Sequence, residues 1–432
     1  MKTAITRLLA RQILDSRGRP TVEVDAWLAN GAFGRASVPS GASTGAAEAH
    51  ELRDGDPAHY DGLGVLQAVA NVNGEIAAAL RGSDAQEQRS VDERLIALDG
   101  TPQLARLGAN AVLAVSLAAC RAAAAAGGQQ LYQRVAQLSG AAPVLPLPMT
   151  NILSGGLHAG RGMDVQDFLA IPLRATSFAQ ALHLLSRVRN AAAQVAQQRG
   201  LPTLLADEGG LSPGLESGAA ALRMMVDAIE RAGLRPGEDI GIAIDVAAST
   251  MCDKRGTYRF AREGVDRGSA EVIGMLADWV RDFPVVSIED GLDEEDWDGW
   301  SALTRSLGGR VQLVGDDFFA TNAQRLARGT AGGAANGVLV KANQNGTVSG
   351  TLDVIALARG AGYATIVSAR SGETEDAFMS DLAVGSAAGQ IKIGSLRTSS
   401  TVAKYNQLLR IEEHSGAAYA GTAPLRGRGD RA

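Results

Sequence analysis

Apolar and polar positions change their rhythm once along the chain, near residue 140. Before that point the alternating stretches Thr21 to Ala29 (TVEVDAWLA) and Gly31 to Pro39 predict two antiparallel strands joined by a turn at Asn30-Gly31, the start of a meander. Helical periodicity follows near 62–81, 84–98 and 108–138, the last stretch being alanine-rich and amphipathic. Residues 1–140 therefore predict an N-terminal α+β domain with helices packed on one face of a small sheet.

From about Pro143 short β-rich runs alternate with longer helical ones. The strands expected are IGIAID, ending at Asp245, PVVSIED (284–290), VQLVGDD (311–317), GVLVKAN (337–343), ATIVSAR (364–370) and GQIKIG (389–394). Helices are expected near 269–282, 297–307, 321–331, 347–361, 374–387 and 399–413. Six β–α units in succession imply a parallel sheet with helical crossovers. Further strands around 145–154 and 166–172 bring the total to eight, which predicts an α/β barrel over residues 141–432. No G-x-G-x-x-G follows a first strand and there is no Walker loop, which argues against an open doubly wound sheet.

Composition narrows the partners. With 46% hydrophobic and 20% charged positions over 432 residues, the chain can bury a large core. Its net charge of −6 and the lack of a Lys/Arg run speak against nucleic acid or an anionic membrane as partner, and for a small molecule. Cys120 and Cys252 cannot build a disulfide framework, and Arg7 and Arg11 break the apolar start as no signal peptide would allow. The longest apolar stretch, Ala111 to Ala126, contains Arg121 and is expected as a buried helix, not a membrane span; a cytoplasmic protein is expected. Only five of the 41 basic residues are lysines (Lys2, Lys254, Lys341, Lys392, Lys404), leaving 36 arginines. Lysine can give up its proton when desolvated and arginine cannot, so each retained lysine raises a question of chemistry.

The strand ends supply that chemistry. Asp245, Glu289, Asp316, Lys341, Arg370 and Lys392 close successive runs, and in a parallel barrel such ends converge on one mouth. Three carboxylates with no Cys or His beside them make an all-oxygen site suited to Mg2+. The three cations call for an anion, and a small molecule bearing both phosphate and carboxylate satisfies both sets, with Arg370 offering a planar fork and Ser371 a hydroxyl. Such a site is equipped to remove a proton beside a carboxylate. Lys341, its pKa lowered by neighbouring cations, is the expected base, and Glu208 in LLADEGG (204–210) the expected proton donor to a leaving hydroxyl.

The motifs DSRGRPTVEV (15–24), PSGASTG (39–45), ELRDGD (51–56), GANAVLAVSLA (108–118), DEGG (207–210), SIEDGLDEEDWDGW (287–300), GDDFFATN (315–322), RSGETED (370–376) and KYNQLLRIEE (404–413) together resemble the enolase family, from about Ile5 to Glu413. The resemblance implies an N-terminal α+β domain on a modified eight-stranded α/β barrel and dehydration of 2-phosphoglycerate in glycolysis. It implies two Mg2+ per site, the first on Asp245, Glu289 and Asp316, the second near Ser43 and the substrate phosphate. Lys341 would act at C2 and Glu208 at the C3 hydroxyl. Arg370 and Ser371 would grip phosphate, Lys392 and Gln166 the carboxylate side, and His158 would arrive on a closing loop, SGGLHAGRG (154–162). A homodimer is implied too, with Arg11 and Glu412 resembling a salt bridge across its interface.

Three positions depart from the family pattern inside the site. Ala369 stands where SHRSGET has histidine, Asp167 shortens the glutamate of QEF that partners the catalytic Glu, and Asn345 replaces the isoleucine of NQIG. Loss of one positioned proton-transfer or orienting group typically costs about 10²–10⁴-fold in rate. Two other readings therefore stand beside the first. One is a related phospho or phosphono carboxylate as substrate, as for carboxyphosphonoenolpyruvate synthase; the other is a scaffold on an enolase fold.

Overall fold

The computed structural model describes residues 2–42 and 45–427. The chain opens with three antiparallel strands, β1 (Ile5–Leu14), β2 (Pro20–Leu28) and β3 (Phe33–Ser37), one more than the alternation predicts. β1 hides from the pattern because its exposed or half-covered face carries Arg7 and Arg11 between the buried Ile5, Leu8 and Ala10. The turn between β2 and β3 needs Gly31, at φ +86°, whose N–H closes back on the Leu28 carbonyl at 2.9 Å.

The helix Ala109–Ala126 lies across this sheet, and its alanines explain how closely it lies. A Cβ on Gly34 of β3 would stand 2.3 Å from the Ala118 carbonyl oxygen. By length and composition the helix could cross a membrane, yet 83% of it is buried in the protein, as a core helix should be. It stops at Gly127, and a second helix spans Leu131–Ser139, so the single helical stretch expected over 108–138 is two elements.

Eight strands then close a barrel: β4 (Leu147–Ser154), β5 (Asp167–Pro172), β6 (Ile240–Asp245), β7 (Val285–Glu289), β8 (Gln312–Gly315), β9 (Gly337–Val340), β10 (Ala364–Ser368) and β11 (Gly389–Gly394). The sheet is not wholly parallel as the repeating units imply. β5 runs antiparallel to both β4 and β6. The cause is connection length: only residues 155–166 separate β4 from β5, too little for a crossover helix in addition to the mouth loop they form, so the chain turns back. Two helices, Phe178–Gln198 and Gly218–Arg231, return it to β6, and from there each strand alternates with helix. Leu147, Met149, Leu169, Ile171, Val286, Val314, Leu339 and Ile366 fill the barrel interior, so it is a packed core and not a pore. Burial of each such side chain contributes about 1.5–3 kcal/mol.

The N-terminal part is pinned to the barrel mouth. Ser40 and Gly372 exchange two backbone hydrogen bonds, at 2.8 and 2.9 Å, and the Ser16 N–H reaches the Glu373 carbonyl at 2.7 Å.

Candidate active site

All six strand-end charges meet at one end of the barrel. Asp245 and Glu289 are the last residues of β6 and β7 and face each other as Cα partners. Asp316 and Lys341 directly follow β8 and β9, Arg370 lies two residues past β10, and Lys392 is in β11. None is more than 9% exposed, and charges buried that deeply must be paired.

They are. The Lys392 ammonium donates to Asp245 Oδ2 at 2.7 Å and to both Glu289 oxygens at 2.7 and 2.8 Å. Lys341 Nζ donates to Asp316 Oδ2, and the other Asp316 oxygen accepts from Gln344 Nε2 at 3.0 Å. Gln344 is itself oriented by the Thr321 hydroxyl, 2.6 Å from its Oε1, and the same hydroxyl accepts the Lys341 N–H at 2.9 Å. Asn345 supports Thr321 through its backbone carbonyl, at 3.4 Å, so this departure from the family pattern bears on the site only through intermediates.

Arg370 turns to the N-terminal part of the chain: its Nη1 donates to Glu48 Oε2 at 2.9 Å and to Asn343 Oδ1 at 3.2 Å. The Ser371 hydroxyl accepts from Arg17 Nη1 at 3.3 Å.

The reversal of β5 decides how the remaining residues arrive. Its N-terminal end lies at the mouth, opposite Ser154 and Asp245, so Gln166 and Asp167 reach the site from the start of a strand and not the end. Gln166 Nε2 donates to Asp245 Oδ2 at 3.0 Å. Asp167 Oδ1 accepts from the Ser154 hydroxyl at 2.7 Å and lies 3.3 Å from His158 Nε2. Glu208, partly buried in its glycine-flanked loop, accepts from Asn151 Nδ2 at 3.1 Å. One cleft brings together His158, Gln166, Glu208, Asp245, Asp316, Lys341, Arg370, Ser371 and Lys392. Ala42, Leu157 and Ala369 also line it, the apolar members of an otherwise polar and charged wall. Ser43 lies outside the described residues.

Electrostatics follows from this burial. Glu289 is held well above the ordinary carboxylate range by desolvation and by Asp245 beside it. Glu208 is raised by burial and by Asp167, which favours its protonated form. Desolvation alone would lower His158, but Asp167 outweighs it and lifts the imidazole to about 9. Lys341 corrects the sequence expectation. Burial and the nearby cations pull it down, but the contact with Asp316 wins, and the amine titrates above its usual value, not below.

The donor set fits a divalent ion. Asp245, Glu289 and Asp316 offer only hard oxygens, and an ammonium already stands against two of them. Among the described residues, acidic oxygens of Asp290, Asp316 and Asp317 lie within 4.8 Å of one another, close enough to share an ion. Both Asp290 oxygens, however, accept backbone N–H groups, of Asp316 and Asp317, each at 2.8 Å, so its visible work is to clasp the turn that presents Asp316. Sequence reasoning missed Glu48, Asn151, Asn343 and Gln344. None is a charge that closes a β-rich run, and nothing local in their segments marks them as partners of a distant charge.

An eight-stranded α/β barrel whose mouth gathers acids, amines and an arginine in one cavity defines an enzyme of the barrel class. Residues 5–135 match the enolase N-terminal domain, and residues 142–427 the enolase C-terminal TIM barrel domain. The chain belongs to the enolase family.

Proposed function

We propose that the protein is a hydro-lyase that converts 2-phosphoglycerate to phosphoenolpyruvate with Mg2+, the enolase step of glycolysis. The observation that carries this reading is one cavity lined by an amine, Lys341, by a carboxyl biased to its protonated form, Glu208, and by the Arg370–Ser371 pair. Asp245, Glu289 and Asp316 would hold a first Mg2+, with Ser43 the expected contact of a second, and the ion would supply positive charge where the substrate carboxylate gains electron density.

The protein's own groups do the rest. Arg370 and Ser371 hold the phosphate, while Lys392 and Gln166 face the carboxylate. Lys341 takes the proton from C2. It must first be neutral: the Asp316 carboxylate keeps the amine charged, while burial, Arg370 and Lys392 favour its neutral form. The electron pair left at C2 forms the C2–C3 double bond as Glu208 protonates the departing C3 hydroxyl, which leaves as water. His158, kept cationic by Asp167, adds charge on the side of its loop.

The same reading makes the enzyme a cytoplasmic homodimer. Within one chain Arg11 already pairs with Glu23 and Asp25, and Glu412 accepts the backbone N–H groups of Phe178 and Ala179 at 2.6 and 2.9 Å. A bridge between Arg11 and Glu412 across a dimer therefore exchanges partners and does not fill vacancies.

Purified protein with Mg2+ should form phosphoenolpyruvate from 2-phosphoglycerate. A second reading, a related phospho or phosphono carboxylate, draws support from Ala369, whose methyl group lines the cavity. Exchange of the C2 proton with solvent without phosphoenolpyruvate would favour it; neither exchange nor product would leave the scaffold reading.

A further inference from the structure

Of the five lysines, Lys2 and Lys254 are exposed and Lys341 and Lys392 stand at the mouth. Lys404 remains, on the helix Ser399–Ser415, fully buried at 0% exposure in a chain that elsewhere prefers arginine. Its ammonium donates to the Thr374 carbonyl at 2.7 Å and the Ser400 carbonyl at 3.0 Å, and it forms an ion pair with Glu373 Oε2 at 2.9 Å. A guanidinium, with five donors in a plane, would leave some of them unsatisfied in a pocket closed to water.

The second Glu373 oxygen, Oε1, accepts the backbone N–H of Arg370 at 2.9 Å. One carboxylate thus links a buried ammonium to the main chain that aims the arginine of the mouth. The same lysine holds the next residue of that loop, Thr374, by its carbonyl, while Ser16 and Ser40 hold the loop from its other side.

We propose that Lys404 is a positioning residue that sets the Arg370–Ser371 phosphate grip through Glu373. It rests on the reading of Arg370 and Ser371 as phosphate ligands. Lys404 touches no substrate; it fixes where the arginine main chain begins, and a misplacement of about 1 Å at a binding group can cost 10²-fold.

The test uses the full chain with Mg2+ and inorganic phosphate as probe, titrated calorimetrically, beside KM and kcat for 2-phosphoglycerate. Lys404→Met alone strands a buried carboxylate, so the decisive variant is K404M/E373Q, which removes both charges together. It should bind phosphate about tenfold more weakly and raise KM by a similar factor, with kcat changed much less. K404M and E373Q should be non-additive, and K404R, of equal charge, should not rescue. Ser380→Ala, which removes only a hydroxyl bonded to the Lys404 carbonyl at 2.9 Å, should lower the melting temperature and leave phosphate affinity unmoved.

If K404M/E373Q binds phosphate as the wild type does and merely melts earlier, Lys404 is structural and the inference falls while the reaction stands. If the variant loses phosphate affinity but wild type never dehydrates 2-phosphoglycerate, the inference stands and the reaction falls. A wild type that binds no phosphate ends both.

Discussion

Lys392 donates to both carboxylate oxygens of Glu289, at 2.7 and 2.8 Å. The lysine thereby stands against two of the three acids assigned to Mg2+, since Asp245 takes the same ammonium at 2.7 Å. On the proposed assignment, metal binding displaces an internal cation. Mg2+ should raise the melting temperature of the wild type, by mass action about 2.7 kcal/mol at a hundredfold excess over Kd, and chelator should reverse it. In Lys392→Met the metal-free protein should be destabilised by about 3–5 kcal/mol, because two buried acids lose their partner, and the gain on adding Mg2+ should be larger than in wild type. Calorimetric scans with and without the ion check this; equal gains in the two proteins would refute the displacement.

Lys341→Ala should abolish both phosphoenolpyruvate formation and exchange of the C2 proton, with a loss of about 10²–10⁴-fold or more. Glu208→Gln should separate the two events. Its carboxyl acts after the proton has left C2, so exchange followed by NMR should persist while product formation falls to background. Loss of exchange in Glu208→Gln would assign the first proton transfer differently.

Ala369→His should raise turnover of 2-phosphoglycerate, because the residue lines the cavity wall and offers it only a methyl group. Asp167→Glu is a harder repair. Asp167 is 1% exposed and already shares one oxygen between Ser154 and His158, so a further methylene should cost about 1–3 kcal/mol of stability even if it gains rate. Steady-state kinetics and urea unfolding of the two variants and their combination measure both effects; a fall in turnover in Ala369→His would favour another substrate.

His158 should titrate near pH 9. For a histidine whose folded value is raised above about 6.5, the contribution to stability is complete below pH 6.5 and is lost as pH climbs through 9. In Asp167→Asn the imidazole keeps its burial and loses the largest charge that opposed it, with Glu208 and Asp245 remaining, so its midpoint should fall. Imidazole chemical shifts against pH report both values, and an unchanged midpoint would detach His158 from Asp167.

Asp245, Glu289, Asp316, Lys341, Arg370 and Lys392 were legible in the sequence because one rule, charge at the end of a β-rich run, maps directly onto a barrel mouth. Gln166 and Asp167 were invisible to that rule and came only from the family resemblance, since they begin a strand that runs the other way. Glu48 and Gln344 could not be found by either route. Their partners, Arg370 and Asp316, are distant in the chain, and such pairings are fixed by tertiary contact without leaving a local signal. The protonation of Lys341 was misread for a related reason: the sequence shows cations nearby, but the sign of the shift is set by the charge of Asp316, with Asp317 behind it. β1 was lost because polar residues on its partly open face blur the period of two.

The backward β5 has a practical corollary. Because the chain passes up β4 and straight down β5, the 155–166 connection belongs wholly to the open rim, and the underside of the barrel is reached only past Pro172. A library randomised across 157–162 would thus vary the stretch that carries His158 within one short cassette, sparing Met163 and Val165, which pack in the core, a separation that an all-forward barrel would have to spread over several distant loops.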